Sequence, residues 1–150
     1  MIEKLLEDKI IEAVKGLKIP HLQVIGSWSL PTDETAQTVS TLGVIVAPRI
    51  YSRYTVCEAT FPVLLELSVS AAVDKKGEMF LGASTAISDM LHTWNMNKHN
   101  EAKTALAVKD KLSIGGIKVE GGEAPSFDQQ NAKRSVTIAF SVTGFIAHTT

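Results

Sequence analysis

Four histidines and one cysteine are the side chains of this 150-residue chain best suited to metal binding or nucleophilic chemistry: His21, His92, His99, His148 and Cys57. His92 and His99 are near neighbours in sequence, but the run NMNKHN (95–100) breaks the helix between them. Neither an H-E-x-x-H pair nor a paired-cysteine motif is present. A reactive thiolate needs a basic neighbour. Cys57 has Val56 before it and Glu58 after it, so it reads as a small, half-buried apolar residue. Ser88 and Asp89 are adjacent on a predicted helix and point about 100° apart, which is no dyad. GGIKVEGG (115–122) lacks the lysine–serine ending and the following helix of a phosphate cradle, so its glycines read as turn punctuation. No G-x-S-x-G occurs. The expectation is a chain with no catalytic residues, no cofactor and no metal. A site assembled from residues distant in sequence is the alternative.

The bulk composition excludes other classes. At 45% hydrophobic the chain can bury a core without a metal or disulfide, and its length suits one domain, residues 1–150. A single cysteine allows no intrachain disulfide. The net charge of −1 leaves no basic stripe for specific nucleic-acid binding and no polybasic patch for a membrane surface. The opening MIEKLLEDKIIEAVKGLK mixes acids and bases and has no apolar core of a signal peptide, and no run is long and apolar enough for a membrane span.

The elements that would position any site follow from periodicity. Ile2, Leu6, Ile10, Ala13, Val14 and Leu17 recur at helical spacing, with Glu3, Lys4, Glu7, Asp8, Glu12 and Lys15 opposite, and Gly16 and Pro20 mark the stop. Val24, Trp28 and Leu30 alternate as a short strand, Pro31–Thr38 is a polar loop, and LGVIVAPRI is a strand ended near Pro48. In FPVLLELSVSAAV, Val63, Leu65, Leu67, Val69, Ala71 and Val73 point one way, and Leu64, Glu66, Ser68, Ser70 and Ala72 the other. DKKG is a turn, and EMFLGASTAISDMLHTW a helix with Phe80, Ala83, Ile87, Met90, Leu91 and Trp94 on one face. NEAKTALAVKDKL is a short helix or an irregular connection, and IKVEGGE a short strand. The last strand, Ser135–Ile146, turns Val136, Ile138, Phe140, Val142 and Ile146 to the core. Together these predict an α+β fold of two layers, an antiparallel β-sheet with long strands and two main helices packed on one face.

The two longest strands carry the sharpest signal. At about 3.3 Å per residue each spans roughly 35–40 Å. Their outward faces hold Glu66, Ser68 and Ser70 on one strand and Thr137, Ser141 and Thr143 on the other, with Ala72 and Ala139 beside them. An exposed sheet face usually carries lysine and glutamate. Small neutral side chains let another layer approach, so this face reads as an inter-subunit or lumen-facing surface, against the alternative of a solvated Ser/Thr face. The polar run GGEAPSFDQQNAKR places Glu123 and Asp128 before Lys133 and Arg134, around the lone aromatic Phe127. It reads either as a contact loop anchored by Phe127 or as a hairpin loop with Phe127 folded back on the core.

The order of these segments resembles the tail terminator (tail-completion, minor tail) proteins of long-tailed bacteriophages and prophages. The resemblance runs over nearly the whole chain: the leading helix MIEKLLEDKIIEAV, the strand FPVLLELSVSAAVDKKG entering the helix FLGASTAISDML, and the loop GGEAPSFD before the terminal strand RSVTIAFSVTGF. It implies a small α+β structural protein, not an enzyme, that closes into a homo-oligomeric ring, commonly a hexamer. The ring sits on the tail tube protein, stops polymerisation and presents a surface to the head–tail connector protein. The implied place is the head–tail junction of a virion, assembled in the host cytoplasm. A cyclic ring uses heterologous interfaces, to which Ser68, Ser70, Thr137, Ser141 and Thr143 would contribute a packed face and Phe127, Asp128, Lys133 and Arg134 loop contacts. The chain departs from the family in having no strong charge cluster for a ring lining. Another head–tail connector or tube-related protein, or a ligand-binding or enzymatic α+β domain, are the competing readings. Replacing Ser70 or Ser141 by Arg places an unpaired charge in the predicted interface, at a cost of about 3–5 kcal/mol. The expected outcome in light scattering is loss of assembly with a folded monomer; wild-type assembly by both variants would remove this face from the interface.

Overall fold

The apolar stripe of the first segment folds as the spacing predicts. In a computed structural model, which describes residues 1–28, 40–52, 57–96, 101–122 and 125–147, Ile2–Lys15 forms helix α1 with Leu6, Ile10 and Val14 buried. Strands β1 (Leu22–Gly26), β2 (Ser40–Val46), β3 (Ile50–Tyr51) and β4 (Glu58–Ser70) follow. Next come helices α2 (Glu78–Met96) and α3 (Glu101–Leu106), then β5 (Leu112–Gly122), β6 (Ser126–Asp128) and β7 (Lys133–Ile146).

Among the described residues, seven strands join one sheet in the order β1-β2-β4-β7-β5, with β3 added to β4 and β6 to β7. The fold is α+β, but the sheet is mixed where an antiparallel one was expected. β1 and β2 run parallel, with Leu22 opposite Ser40 and Gly26 opposite Val44. Parallel neighbours need a crossover of about a dozen residues, and residues 27–39 supply that length. Leu30 and the polar loop predicted at Pro31–Thr38 lie outside the described residues.

The centre of the sheet is the β4–β7 pair, antiparallel from Glu58 opposite Phe145 to Ser70 opposite Lys133 without a register break. Ala59, Phe61, Val63, Leu65, Leu67 and Val69 alternate inward along β4, and Ile138, Phe140, Val142 and Ile146 along β7. These side chains form a single core with Leu6, Ile10 and Val14 of α1, Ile87 and Leu91 of α2 and Leu106 of α3. The helices therefore line one face of the sheet, as predicted, with the short α3 as a third member.

Three expectations along the strands change. Ala71 and Val73 leave the strand pattern, because β4 ends at Ser70 and the chain turns, with the Asp74 N–H donating to the Ser70 carbonyl. Val73 is 61% exposed, and Ala72 sits in the same turn and not on the sheet. The short strand IKVEGGE is part of the 11-residue β5. Its glycines do not mark turns; they sit where the ladder slips, between Ile114 and Gly116 and between Val119 and Gly121. Extra residues at such bulges are what glycine accommodates.

The largest surprise is on α1, where Glu3 and Glu7, assigned to the solvent side, are both buried. Each carboxylate holds a strand connection. Glu3 receives the Arg49 guanidinium at 2.7 and 2.9 Å and the Arg49 backbone N–H at 3.0 Å. These bonds from Arg49 hold the Glu3 carboxyl down at about 2, against the raising effect of burial. Glu7 has no cation beside it among the described residues; the Trp28 N–H donates to both its oxygens at 3.0 and 3.2 Å, and burial pushes its pKa up. Gly26 makes that approach possible, since a Cβ there would stand 2.3 Å from Glu7 Oε1.

The Glu3–Arg49 pair gives a test of the anchor. Arg49 keeps a quarter of its side chain exposed, so Arg49→Ala is expected to cost about 2–3 kcal/mol, below the range for a fully enclosed pair. A carboxyl whose folded pKa is depressed contributes stability above its unfolded value and loses it as pH falls through the folded value. The gap between wild type and Arg49→Ala in urea unfolding should therefore be full at pH 7 and shrink from about pH 4.5 towards pH 2.

Candidate assembly surface

Directly opposed residues of neighbouring strands share a face, so the register assigns every predicted site residue to one side of the sheet. On the side away from the helices, Thr60 pairs with Thr143, Pro62 with Ser141, Leu64 with Ala139, Glu66 with Thr137 and Ser68 with Ser135. β2 adds Thr41, Gly43 and Ile45 opposite Ser68, Glu66 and Leu64. Ser68, Ser70, Thr137, Ser141 and Thr143 thus lie on one continuous surface, as their spacing predicts. The Ser68 and Ser135 hydroxyls meet at 3.3 Å across the strands. Among the described residues, the helical side chains of the core all pack on the other side.

This surface is more apolar at its centre than the Ser/Thr pattern suggested. Ile45, Pro62, Leu64 and Ala139 are mutual neighbours there, with Leu64 39% exposed and Phe145 42% exposed further along β7. Leu64 alternates outward with the hydroxyl residues that surround it. Ser141 differs from its companions. It is only 8% exposed within the single chain, where Pro62 flanks it on one side and Lys118 on the other.

The four loop residues divide between the two sides. Lys133 pairs with Ser70 and Asp128 with Lys133, on the outer face. Arg134 pairs with the buried Val69 and with Phe127, on the helix side. Phe127 is 56% exposed and does not fold back on the core; the Arg134 guanidinium lies 5.9 Å from its ring centroid. Cation–π contact of this kind orders both side chains.

Arg134 and Asp128 have work inside the chain. Arg134 donates to the Asp74 carbonyl and, at 3.1 Å, to that of Lys75, with the Asp74 carboxylate 4.0 Å away. Asp74 accepts the Met79 and Phe80 N–H groups at 3.0 Å each, capping α2. Burial raises its pKa, but those backbone bonds and the Arg134 charge outweigh it and leave the carboxyl below its usual range. Asp128 ties its own turn, accepting the Asn131 amide at 2.8 Å and the Gln130 N–H at 3.0 Å. Those bonds, the Asn131 amide first, lower its pKa.

One concavity of about 390 Å³ borders the surface at Phe145, beside Cys57, Lys111 and Ser113; others lie away from it. A groove of about 430 Å³ runs between Leu17–Pro20 at the end of α1 and Met79, Gly82 and Ala86 on α2. It continues into a depression of about 420 Å³ that also includes Leu17 and Ala86. His92 and Ser88 line a smaller hollow of about 210 Å³ beside β5. Cys57 is half-buried, and His99, His148 and Glu123 lie outside the described residues. Among the described residues, no three His, Cys, Asp or Glu side chains converge as metal ligands, and no helix is long and apolar enough to cross a membrane.

Solved structures share the fold, two of them as follows. One is a chain in the virion of a native gene transfer agent particle, 14% identical, aligned over 88% of this chain and 84% of its own length with a TM-score of 0.53. The other, a protein without a functional name, is also 14% identical and aligns over 99% of this chain and 95% of its own with a TM-score of 0.57. No protein-family model and no curated protein matches the chain.

The burial of Ser141 sharpens the mutational test. Ser141→Arg disturbs the chain's own packing and should cost about 1–3 kcal/mol, lowering Tm by several degrees in thermal unfolding. Thr137→Arg, at a half-buried outer position, should stay within about 0.5 kcal/mol of wild type. Equal Tm values for the two would show that Ser141 is not enclosed within one chain.

Proposed function

We propose that this chain is a structural component of a phage-type virion, and specifically a tail terminator. Copies close into a ring, with six as the expected number, on the end of the tail tube. The ring matches the last layer of tube protein, its far side cannot accept another layer, and that side is left for the connector of the head. The action is binding alone, with no catalytic step and no cofactor, and its place is the head–tail junction.

The observation that carries this reading is the outer face of β4 and β7. It is long, nearly uncharged and apolar at its centre, and among the described residues no helix covers it. Such a surface is suited to being covered by another molecule. The fold it shares with a chain of a gene transfer agent virion supports a virion setting, and the segment order supports the terminator role within it. The division of the loop residues refines the contact set. Lys133 borders the face and is free of the α2 cap, whereas Arg134 and Asp128 shape the chain that presents it.

The test is tube growth. Tail-tube protein of the same virion is polymerised alone and with substoichiometric amounts of this chain, and tubes are measured by electron microscopy. Growth should stop early, with a ring of this chain at one tube end, and Thr137→Arg should lose the effect because a long side chain opposite Glu66 holds the covering layer off the flat face, at a cost of about 1–3 kcal/mol. Unchanged tube lengths with bare ends at saturating protein would overturn the proposal.

A further inference from the structure

Strand β5 ends the sheet, and beyond the single bridge from Val108 to Leu112 no described strand lies against its outer side. Such an edge offers unpaired N–H and C=O groups to any extended backbone. The Val119 N–H marks where they point. It donates to the Asn95 side chain of α2 at 3.4 Å, a long and exposed bond, and so is turned away from β7. Helix α2 stands off at this place and leaves the hollow of about 210 Å³ lined by Asn95, Val119 and Gly121. The charges on either side of Val119 are Lys118 and Glu120, both exposed and neither in an ion pair among the described residues. We infer that two copies of this chain pair antiparallel through their β5 edges, with the dyad on Val119, so that Lys118 of each copy faces Glu120 of the other.

Hydrogen bonding, charge and symmetry select this register. In an antiparallel pair, residues whose N–H and C=O point at the partner strand exchange both bonds, and the side chains of opposed residues share a face. A dyad on Val119 joins two such residues, and each Val119 N–H exchanges the Asn95 oxygen for a main-chain carbonyl. The same dyad sets Lys118 opposite Glu120 twice. A dyad on Lys118 would set two lysines against each other, on residues whose backbone groups point inward to β7. Like charges guard an edge against pairing; these two attract. The register breaks between Ile114 and Gly116 and between Val119 and Gly121 keep the contact short, and the second leaves Glu120 outside the ladder with β7. A two-fold contact closes on itself and leaves no further β5 edge to extend, so it gives a dimer and not a fibre. It involves no residue of β4 or β7 and holds whether or not the chain is a virion component.

Sedimentation equilibrium on the whole chain tests it, under reducing conditions so that Cys57 cannot cross-link. The wild-type chain should pass from monomer to dimer as its concentration rises. Lys118→Glu and Glu120→Lys each turn two attractive cross-strand pairs into two repulsive ones and should weaken the dimer by about tenfold or more. Their Tm should stay that of wild type, because both side chains are exposed. The double variant Lys118→Glu/Glu120→Lys should restore the dimer, and an equimolar mixture of the two single variants should form a mixed one. Thr137→Arg, on the face of β4 and β7, should leave it as it is. A wild-type chain that stays monomeric up to millimolar concentration would overturn the pairing. So would single variants that dimerise like wild type, a double variant that does not recover, or a dimer lost in Thr137→Arg. Arrested tube growth by a chain that never dimerises leaves the terminator reading standing and removes this contact; a dimer without arrest does the reverse.

Discussion

A β-strand sends successive side chains to opposite faces, so two long paired strands present two faces of equal area. In this chain the uninterrupted β4–β7 pair has helices for one of them. The remaining features follow from that imbalance. The inward residues of both strands must be large and apolar to meet three helices, and they are Phe61, Leu65, Leu67, Phe140 and Val142. The outward residues are free of that demand and still hold only Glu66 as a central charge. A one-residue slip would exchange the two sets, so the register that builds the core also defines the outer surface.

The periphery is fastened to this pair by charged groups that sequence periodicity hides. Glu3 and Glu7 stand one turn apart on α1 and hold the chain at Arg49 and Trp28. Asp74 and Arg134 do the same for the start of α2 and the start of β7. Each staple joins segments far apart in sequence through backbone N–H or carbonyl groups, so each fixes where a helix sits on the sheet. These are also the places where one partner lost leaves a buried polar group unsatisfied.

What could be read from the sequence divides along the same line. Period-two alternation located β4 and β7, and period 3.6 located α1 and α2, because burial on one face is a local pattern. The parallel pairing of β1 with β2 was not legible, since direction is set by a crossover and not by side-chain order. Nor were Glu3 and Glu7 legible as buried, because a carboxylate on a helix face carries no mark of the backbone N–H groups that tertiary structure brings to it. In the sequence Phe127 and Arg134 group with Lys133 and Asp128, because all four lie in one polar run. Hairpin register alternates them, and neighbours in the run end on opposite sides of the sheet. The candidate surface itself was legible in its hydroxyl residues and underestimated in its apolar ones.

Among the described residues the outer sheet face carries one charge at its centre, Glu66, and this has a kinetic consequence. Charged interfaces accelerate encounter by steering and do so in proportion to low salt. A surface whose described lysines, Lys118 and Lys133, stand at the border, and whose centre is Leu64 and Ala139, gains little from steering. Its association is limited by shape and by the area that comes together at once. On the proposed reading that property suits a chain that must stay dispersed during synthesis and assemble on a preformed template, because a template holds several copies in place and supplies the orientation that charge does not. The fit is then decided by the flatness of the sheet face, which small Ser, Thr and Ala side chains preserve and any long side chain at its centre would end.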